Sequence, residues 1–347
     1  SQSEILGIYM VKNRLSTSWF RSKPKLSIFL GVFISLLLSL LVIAFKPFSL
    51  QESYTPNPVG TYQEALAIVK GIQAAEDNRA DLSLNCGTTL MTHGDRVENV
   101  IVFLHGFTSC PVQFAALGKL YFDQGYNVYI PRQPYHGLQQ VKGTPLKELD
   151  VQQLAAFGSQ AVDIAHGLGE RIVVVGLSGG GSIATWLGQE RSDIDLIVPI
   201  APFLGIHYIP RVLTRPLTNL ILAMPNFYLW WDPEYKMDNP LSSSYSYRGY
   251  YTHALFGNLK LGFVAERDAK RLKPAAGGIL VITNAADPAV NNAVVAEFEE
   301  LWIEHGEQFL STYQFPAEFN LPHDIISPTM PKGNIELVYP KLLELIQ

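Results

Sequence analysis

Ser178 sits in Gly176-Leu177-Ser178-Gly179-Gly180, directly after the apolar run Arg171–Val175 and at the head of a stretch able to begin a helix. A G-x-S-x-G pentapeptide between a strand and a helix holds its serine on a sharp, strained turn, with the hydroxyl exposed at a sheet edge. Glycines are needed on either side because bulkier neighbours clash with the flanking elements. An ordinary glycine-rich turn is the competing account. The chemistry such a serine could do is nucleophilic attack on a carbonyl. It needs a base to take the hydroxyl proton and donors to meet the developing oxyanion. The donors are predicted by VIVFL (100–104) followed by His105-Gly106-Phe107. Gly106 permits a tight turn, so the main-chain N–H of Phe107 is expected to face the oxyanion beside that of Gly179. His105 reads as a brace for this loop rather than a base.

These residues need a frame of strands and helices to hold them. The short, fully apolar run at 100–104 and the mostly apolar runs at 126–130, 171–175, 196–200 and 279–283 read as buried strands. Helices are expected between them: Thr61–Ala80, Pro111–Gln124, one begun by Asp150, and Pro288–His305. A strand near Phe309–Phe315 and a closing helix Glu336–Ile346 complete the series. In the helix after Asp150, Leu154, Phe157, Ala161, Ile164 and Leu168 fall at alternating spacings of three and four, which gives one apolar stripe. Strand–helix alternation of this kind demands a mostly parallel sheet with helices on both faces. The interruption is Phe203–Lys273, which is rich in aromatic residues, Trp230, Trp231, Tyr247, Tyr250 and Tyr251 among them, and shows no strong strand pattern. It reads as a cap over the carboxyl edge of the sheet; a purely structural appendage is the plainer alternative.

Composition narrows the class. The 347 residues are 48% hydrophobic and only 16% charged, ample for a large core and unlike a disordered chain. Formal charge is −5 overall, but residues 1–46 carry six basic groups and one acid, which leaves the remainder at −10. An acidic globular part excludes nucleic acid as the expected partner. Residues 26–45 (LSIFLGVFISLLLSLLVIAF) hold no charge. As a helix they would extend roughly 30 Å, the thickness of a hydrocarbon core. A buried core helix and a cleaved signal peptide compete with this reading, but secretory apolar regions are shorter, and no A-x-A pattern follows this one. With the basic residues ahead of the span, the positive-inside rule puts 1–25 in the cytoplasm and the rest in a periplasm, lumen or extracellular space. An oxidising compartment would let Cys86 and Cys110 pair; two unpaired, buried thiols are the alternative.

HGFTSCP (105–111), GYNVYIPRQPYHG (125–137) and GLSGGG (176–181) together resemble the α/β-hydrolase superfamily, most closely its carboxylesterase and monoacylglycerol-lipase-like serine hydrolases. The resemblance spans about residues 87–346, with the cap matching only in position. It implies the chain order Ser, Asp, His. Asp287 follows the strand at 279–283 where the family keeps its acid, and His323 lies in the loop after the strand near 309–315, where the base belongs. Asp324 adjoins the histidine, but consecutive side chains diverge, so Asp287 is the expected partner of the ring. His136 falls in a loop that borders the active site in the family, as a pocket-lining or structural residue.

The expected architecture is therefore an α/β-hydrolase fold with a mostly parallel sheet and a cap insertion, preceded by one transmembrane helix. Its parts are a basic tail 1–25, a signal anchor 26–45, a linker and helix 46–80, and the hydrolase domain 81–347 with its cap at about 203–273. The expected activity is cleavage of carboxylic esters, with apolar or lipid-derived acyl groups, through Ser178, Asp287 and His323 and an acyl-enzyme. A thioesterase, an aminopeptidase and a catalytically silent binding protein on the same fold are the alternatives. No metal or other cofactor is implied, since neither H-E-x-x-H nor a CxxC pair occurs.

Overall fold

The computed structural model of the chain describes residues 24–139, 145–234, 236–238, 243–306 and 310–347. The basic tail expected at 1–25 lies outside them, apart from Pro24 and Lys25. In chain order the helices are α1 (Pro24–Ala44), α2 (Tyr62–Asp77), α3 (Val112–Asp123), α4 (Val151–Leu168), α5 (Gly179–Glu190), α6 (Arg211–Ala223), α7 (Thr252–Ala269), α8 (Asn292–Ile303) and α9 (Ile335–Leu345). The strands are β1 (Thr89–Met91), β2 (Val97–Leu104), β3 (Asn127–Ile130), β4 (Gly169–Leu177), β5 (Leu196–Ile200), β6 (Tyr228–Trp230), β7 (Gly249–Tyr251), β8 (Ile279–Asn284) and β9 (Leu310–Phe315).

Seven strands form one sheet in the order β1-β3-β2-β4-β5-β8-β9. All neighbours are parallel except β1, which runs antiparallel along β3. The apolar runs behave as their composition requires: Val100–Leu104, Ile172–Val175, Ile197–Ile200 and Ile279–Ile282 are buried in the middle of the sheet. β9, at the edge of the sheet, is exposed or half-buried at every residue except Phe315. β1 was not expected. Three residues with only half-buried side chains carry too short a pattern to read.

Helices cover both faces. On one, α3 and α9 are joined where the Tyr121 hydroxyl donates to the Leu342 carbonyl at 3.0 Å. On the other, α4, α5 and α7 pack together. Asp150 starts α4 with a capping box, accepting from the Gln153 N–H while Gln153 accepts from the Asp150 N–H, each at 2.9 Å. Register aligns the ends that matter: Leu104 pairs with Gly176, and Leu177 with Ile200. The loops leaving β2, β4, β8 and β9 thus open at one carboxyl edge, where ligands bind in open α/β sheets.

The aromatic insertion contains more order than its sequence suggests. It forms α6 and the antiparallel hairpin β6–β7, while the last helix of the expected 203–273 cap, α7, buries Ala254, Leu255, Leu259 and Val264 and packs on α5. α6 packs Leu217, Ile221 and Leu222 half-buried on the core and buries two threonines as well. Thr214 and Thr218 are buried, their hydroxyls donating back to the carbonyls of Pro210 and Thr214, whereas Val212 and Leu213 face outward.

α1 exposes Ile28, Phe29 and Val42, each by more than 65%. Among the described residues, no helix is long and apolar enough to cross a membrane. The side chains described along α1 are Lys25 and 28–44, short of the roughly 20 apolar residues that a crossing takes. The span expected at 26–45 is to that extent corrected to an exposed apolar helix ending at Ala44. Its end is held by α6, where the Asn219 amide donates to the carbonyls of Ala44 and Lys46, each at 2.9 Å.

Candidate active site

The elbow after β4 is made by contacts that exclude side chains. A Cβ on Gly176 would lie 2.2 Å from the Gly180 carbonyl oxygen, and one on Gly180 would lie 2.0 Å from that of Leu104. Ser178 between them adopts φ 54°, ψ −112°, a conformation that L-residues avoid unless the surroundings impose it. Thr108 and Ala201, on loops at the same edge, also have positive φ. The strain gathers where the pentapeptide predicts an exposed hydroxyl.

Ser178, His323 and Asp287 come together from the ends of β4, β9 and β8. The Ser178 Oγ stands 2.8 Å from His323 Nε2, and His323 Nδ1 stands 2.7 Å from Asp287 Oδ2. An ionised carboxylate only accepts, so Nδ1 carries the ring proton and Nε2 is free to accept from the serine hydroxyl. The other oxygen of Asp287 accepts from the N–H groups of Ala289 and Val290 at 2.8 and 3.1 Å. Asp287 is 2% exposed, and Ser178 and His323 are half-buried and open to a cavity.

Electrostatics follow from that geometry. Burial by itself would depress the His323 ring. The charge and hydrogen bond of Asp287, with the Asp324 charge behind them, outweigh it and raise the ring above its ordinary value. Burial pushes the Asp287 carboxyl up, while the His323 ring and the two main-chain donors pull harder and leave it lowered.

Phe107 follows β2 as expected, and its main-chain nitrogen lies 3.0 Å from where a Cβ on Gly179 would stand, so the two N–H groups are neighbours. His105 is fully buried. Its Nδ1 donates to the Gly106 carbonyl at 3.0 Å and its Nε2 accepts from the Gln133 N–H at 3.1 Å, which leaves no ring nitrogen for a reaction. His136 is not in the cavity wall; it lies fully buried behind Phe107, ring centroids 5.9 Å apart. Cys86 and Cys110 are disulfide-bonded, and His136-Gly137 packs on them, a Cβ at Gly137 falling 2.8 Å from that of Cys86.

Two polar residues near the site were not read as functional. Gln113, in the first turn of α3, is 3% exposed and accepts from the Gly106 N–H. Asp324 does not touch the imidazole; it accepts from Gln113 and from the N–H groups of Ile326 and Ser327. The only sequence signal for Gln113 was a polar residue at the otherwise apolar start of α3.

The cavity at the elbow has a volume of about 580 Å³ and is walled largely by Phe107, Phe203, Ile206, Trp231, Tyr250 and Leu255. It lies within the usual size range of small-molecule sites, roughly 300–1,000 Å³.

A serine raised on a strand–helix elbow, at the carboxyl edge of a mostly parallel sheet, defines the α/β-hydrolase class. The chain belongs to the alpha/beta hydrolase family, whose model matches residues 101–320. It is 28% identical over 120 residues to the thermostable monoacylglycerol lipase of Bacillus sp. (strain H-257), a match covering 33% of this chain and 44% of that protein. The chain thus aligns with less than half the length of that relative. Among solved structures it is similar to a metagenome-derived lipolytic enzyme of the LipS and LipT pair, with TM-score 0.55 and 20% identity over 76% of this chain and 98% of that one. The monoacylglycerol lipase of Paleococcus ferrophilus gives TM-score 0.55 and 17% identity, over 74% and 96%. At these identities the likeness is one of fold.

Proposed function

We propose that the protein is a serine hydrolase that cleaves carboxylic esters of apolar, lipid-derived acyl groups. The observation that carries this reading is the unbroken chain from Ser178 Oγ through both nitrogens of His323 to Asp287. The neutral ring takes the hydroxyl proton as Oγ attacks the ester carbonyl, and Asp287 holds the ring and steadies its charged form. The N–H groups of Phe107 and Gly179 donate to the tetrahedral oxyanion. Collapse expels the alcohol, which receives the proton from His323. Water, activated by the same ring, then hydrolyses the acyl-enzyme.

The aromatic and aliphatic wall of the cavity favours an apolar acyl chain over a charged one. The lipolytic names among the relatives point the same way. In this reading the exposed apolar side chains of α1 rest against a bilayer without crossing it, and the catalytic domain lies on the extracytoplasmic side. The outward Val212 and Leu213 of α6, next to the end of α1, suit a domain held against a bilayer.

Labelling with a fluorophosphonate, followed by hydrolysis of p-nitrophenyl esters from short to long chains, tests the activity. Wild-type protein should label at Ser178 and turn over longer acyl chains. Ser178→Ala should lose several powers of ten in kcat and keep its fold. A folded wild-type protein that neither labels nor hydrolyses would leave a binding protein. Sedimentation with lipid vesicles tests the membrane contact, and full-length protein that stays in the supernatant would count against it.

A further inference from the structure

We propose that Gln113 is a positioning residue for this reaction: its amide, working through Asp324, sets the oxyanion loop against the histidine loop. The inference rests on the serine-hydrolase reading above.

Four hydrogen bonds carry it. The Gly106 N–H donates to Gln113 Oε1 at 2.7 Å, and Gln113 Nε2 donates to Asp324 Oδ2 at 2.8 Å. Asp324 Oδ1 accepts from the N–H groups of Ile326 and Ser327 at 3.0 and 2.9 Å. Gly106 directly precedes Phe107, and Asp324 directly follows His323. One side chain therefore links the neighbour of an oxyanion donor to the neighbour of the base, its own bond to Asp324 spanning 211 positions in sequence.

The bond polarities at this place require an amide. Gly106 offers a donor, so the end facing it must accept; ionised Asp324 only accepts, so the end facing it must donate. Glutamine carries one of each at a fixed separation. Gln113 and Asp324 are 3% and 9% exposed, so water competes little and an ill-matched pair would be costly. Holding the Gly106 N–H fixes the peptide before Phe107, and with it the direction of the N–H that meets the oxyanion. Displacement of reacting groups by about 1 Å costs on the order of a hundredfold in rate. Such a role affects the transition state and leaves ground-state binding largely alone.

The same polarity argument supplies the test. Gln113→Glu sets two carboxylates face to face, and Asp324→Asn sets two amide donors face to face. The double variant Gln113→Glu/Asp324→Asn restores every bond: the new carboxylate accepts from Gly106 and from the new amide, whose oxygen still accepts from Ile326 and Ser327. Turnover of p-nitrophenyl butyrate is measured for all four proteins, with kcat counted per site titrated by fluorophosphonate, alongside melting temperature. Each single variant should lose about tenfold or more in kcat with KM changed by less than about twofold. The double variant should return to within about threefold of wild type. Single variants with wild-type kcat overturn the proposal, as does a double variant no faster than the poorer single. Should the single variants fail to fold, the double variant decides alone: recovery of fold and kcat supports the role, and absence of recovery overturns it. An inert wild type instead marks failure of the hydrolase reading itself.

Discussion

Gly180 in the first turn of α5 lies so close to Leu104 at the end of β2 that a Cβ on Gly180 would stand 2.0 Å from the Leu104 carbonyl oxygen. That contact seats the serine elbow against the strand feeding the oxyanion loop. The glycines of the pentapeptide are thus a packing requirement between two neighbouring strands and a helix, as well as a turn requirement.

Gly180→Ala should therefore destabilise the fold by about 3 kcal/mol or more, since backbone on the opposing side has nowhere to yield. Gly71, in the exposed interior of α2, has nothing within 4 Å of its missing Cβ. Gly71→Ala should stabilise by about 0.5–1 kcal/mol through helix propensity. Urea denaturation of the two variants, read against the parent, checks both signs.

In the proposed mechanism the raised His323 ring sets the acid limb of activity. The base works only when neutral, so kcat/KM should fall as pH drops through a value above the ordinary 6.5 or so of histidine. Asp287→Asn removes the charge and the acceptor that lift the ring, and its residual activity should show the limb at lower pH. The pH profiles of wild type and variant decide this. An acid limb that Asp287→Asn leaves in place would mean that another group titrates there.

Buried histidines act on stability in the opposite sense. Burial drives His136 down to about 4, helped by the Arg132 charge, although its bond to the Pro134 carbonyl resists. Burial and its neighbour His136 lower His105 as well. Below about pH 6.5 the unfolded chain binds protons that the folded chain refuses. The contribution of His136 is thus intact above 6.5 and is lost as pH falls towards 4, by on the order of 3 kcal/mol. The raised His323 ring works the other way, adding stability below 6.5 that is lost as pH rises through its folded value. Urea midpoints at several pH values from 7.5 to 5 should fall in the parent and fall less steeply in His136→Asn.

The disulfide closes a loop with a sequence separation of 24, and its two Cα atoms lie 5.2 Å apart. Cys86→Ala/Cys110→Ala should lose about 3 kcal/mol of stability. Cys110 follows Phe107 by three positions, so kcat should fall with it while Ser178 still labels. Denaturation and turnover of the double variant, measured together, test both.

Much of this molecule can be read along the chain because its signals are local. Strands buried on both faces appear as VIVFL, RIVVV and ILVIT, and the elbow appears as G-x-S-x-G after one of them. Asp287 and His323 were found through the family's chain order, since nothing local distinguishes them from other acids and histidines in loops. The features missed are those whose cause is distant in sequence. β1 is a strand only because β3 lies beside it. Of the two roles left open for His136, pocket-lining or structural, its burial behind Phe107 beside the disulfide decides for the second. α6 faces its threonines inward, against the usual rule, with the end of α1 alongside.

By itself, then, the sequence determined the layered α/β architecture and the serine on its turn, while the places of Asp287 and His323 came from the family resemblance. Burial on both faces and steric exclusion at glycine are written into neighbouring residues. Only the tertiary structure decided which polar groups meet across the carboxyl edge: Ser178 with His323 and Asp287, and Gln113 with Gly106 and Asp324. Hydrogen bonds between residues up to 211 positions apart depend on how the sheet twists its strand ends together, and no local pattern carries that information.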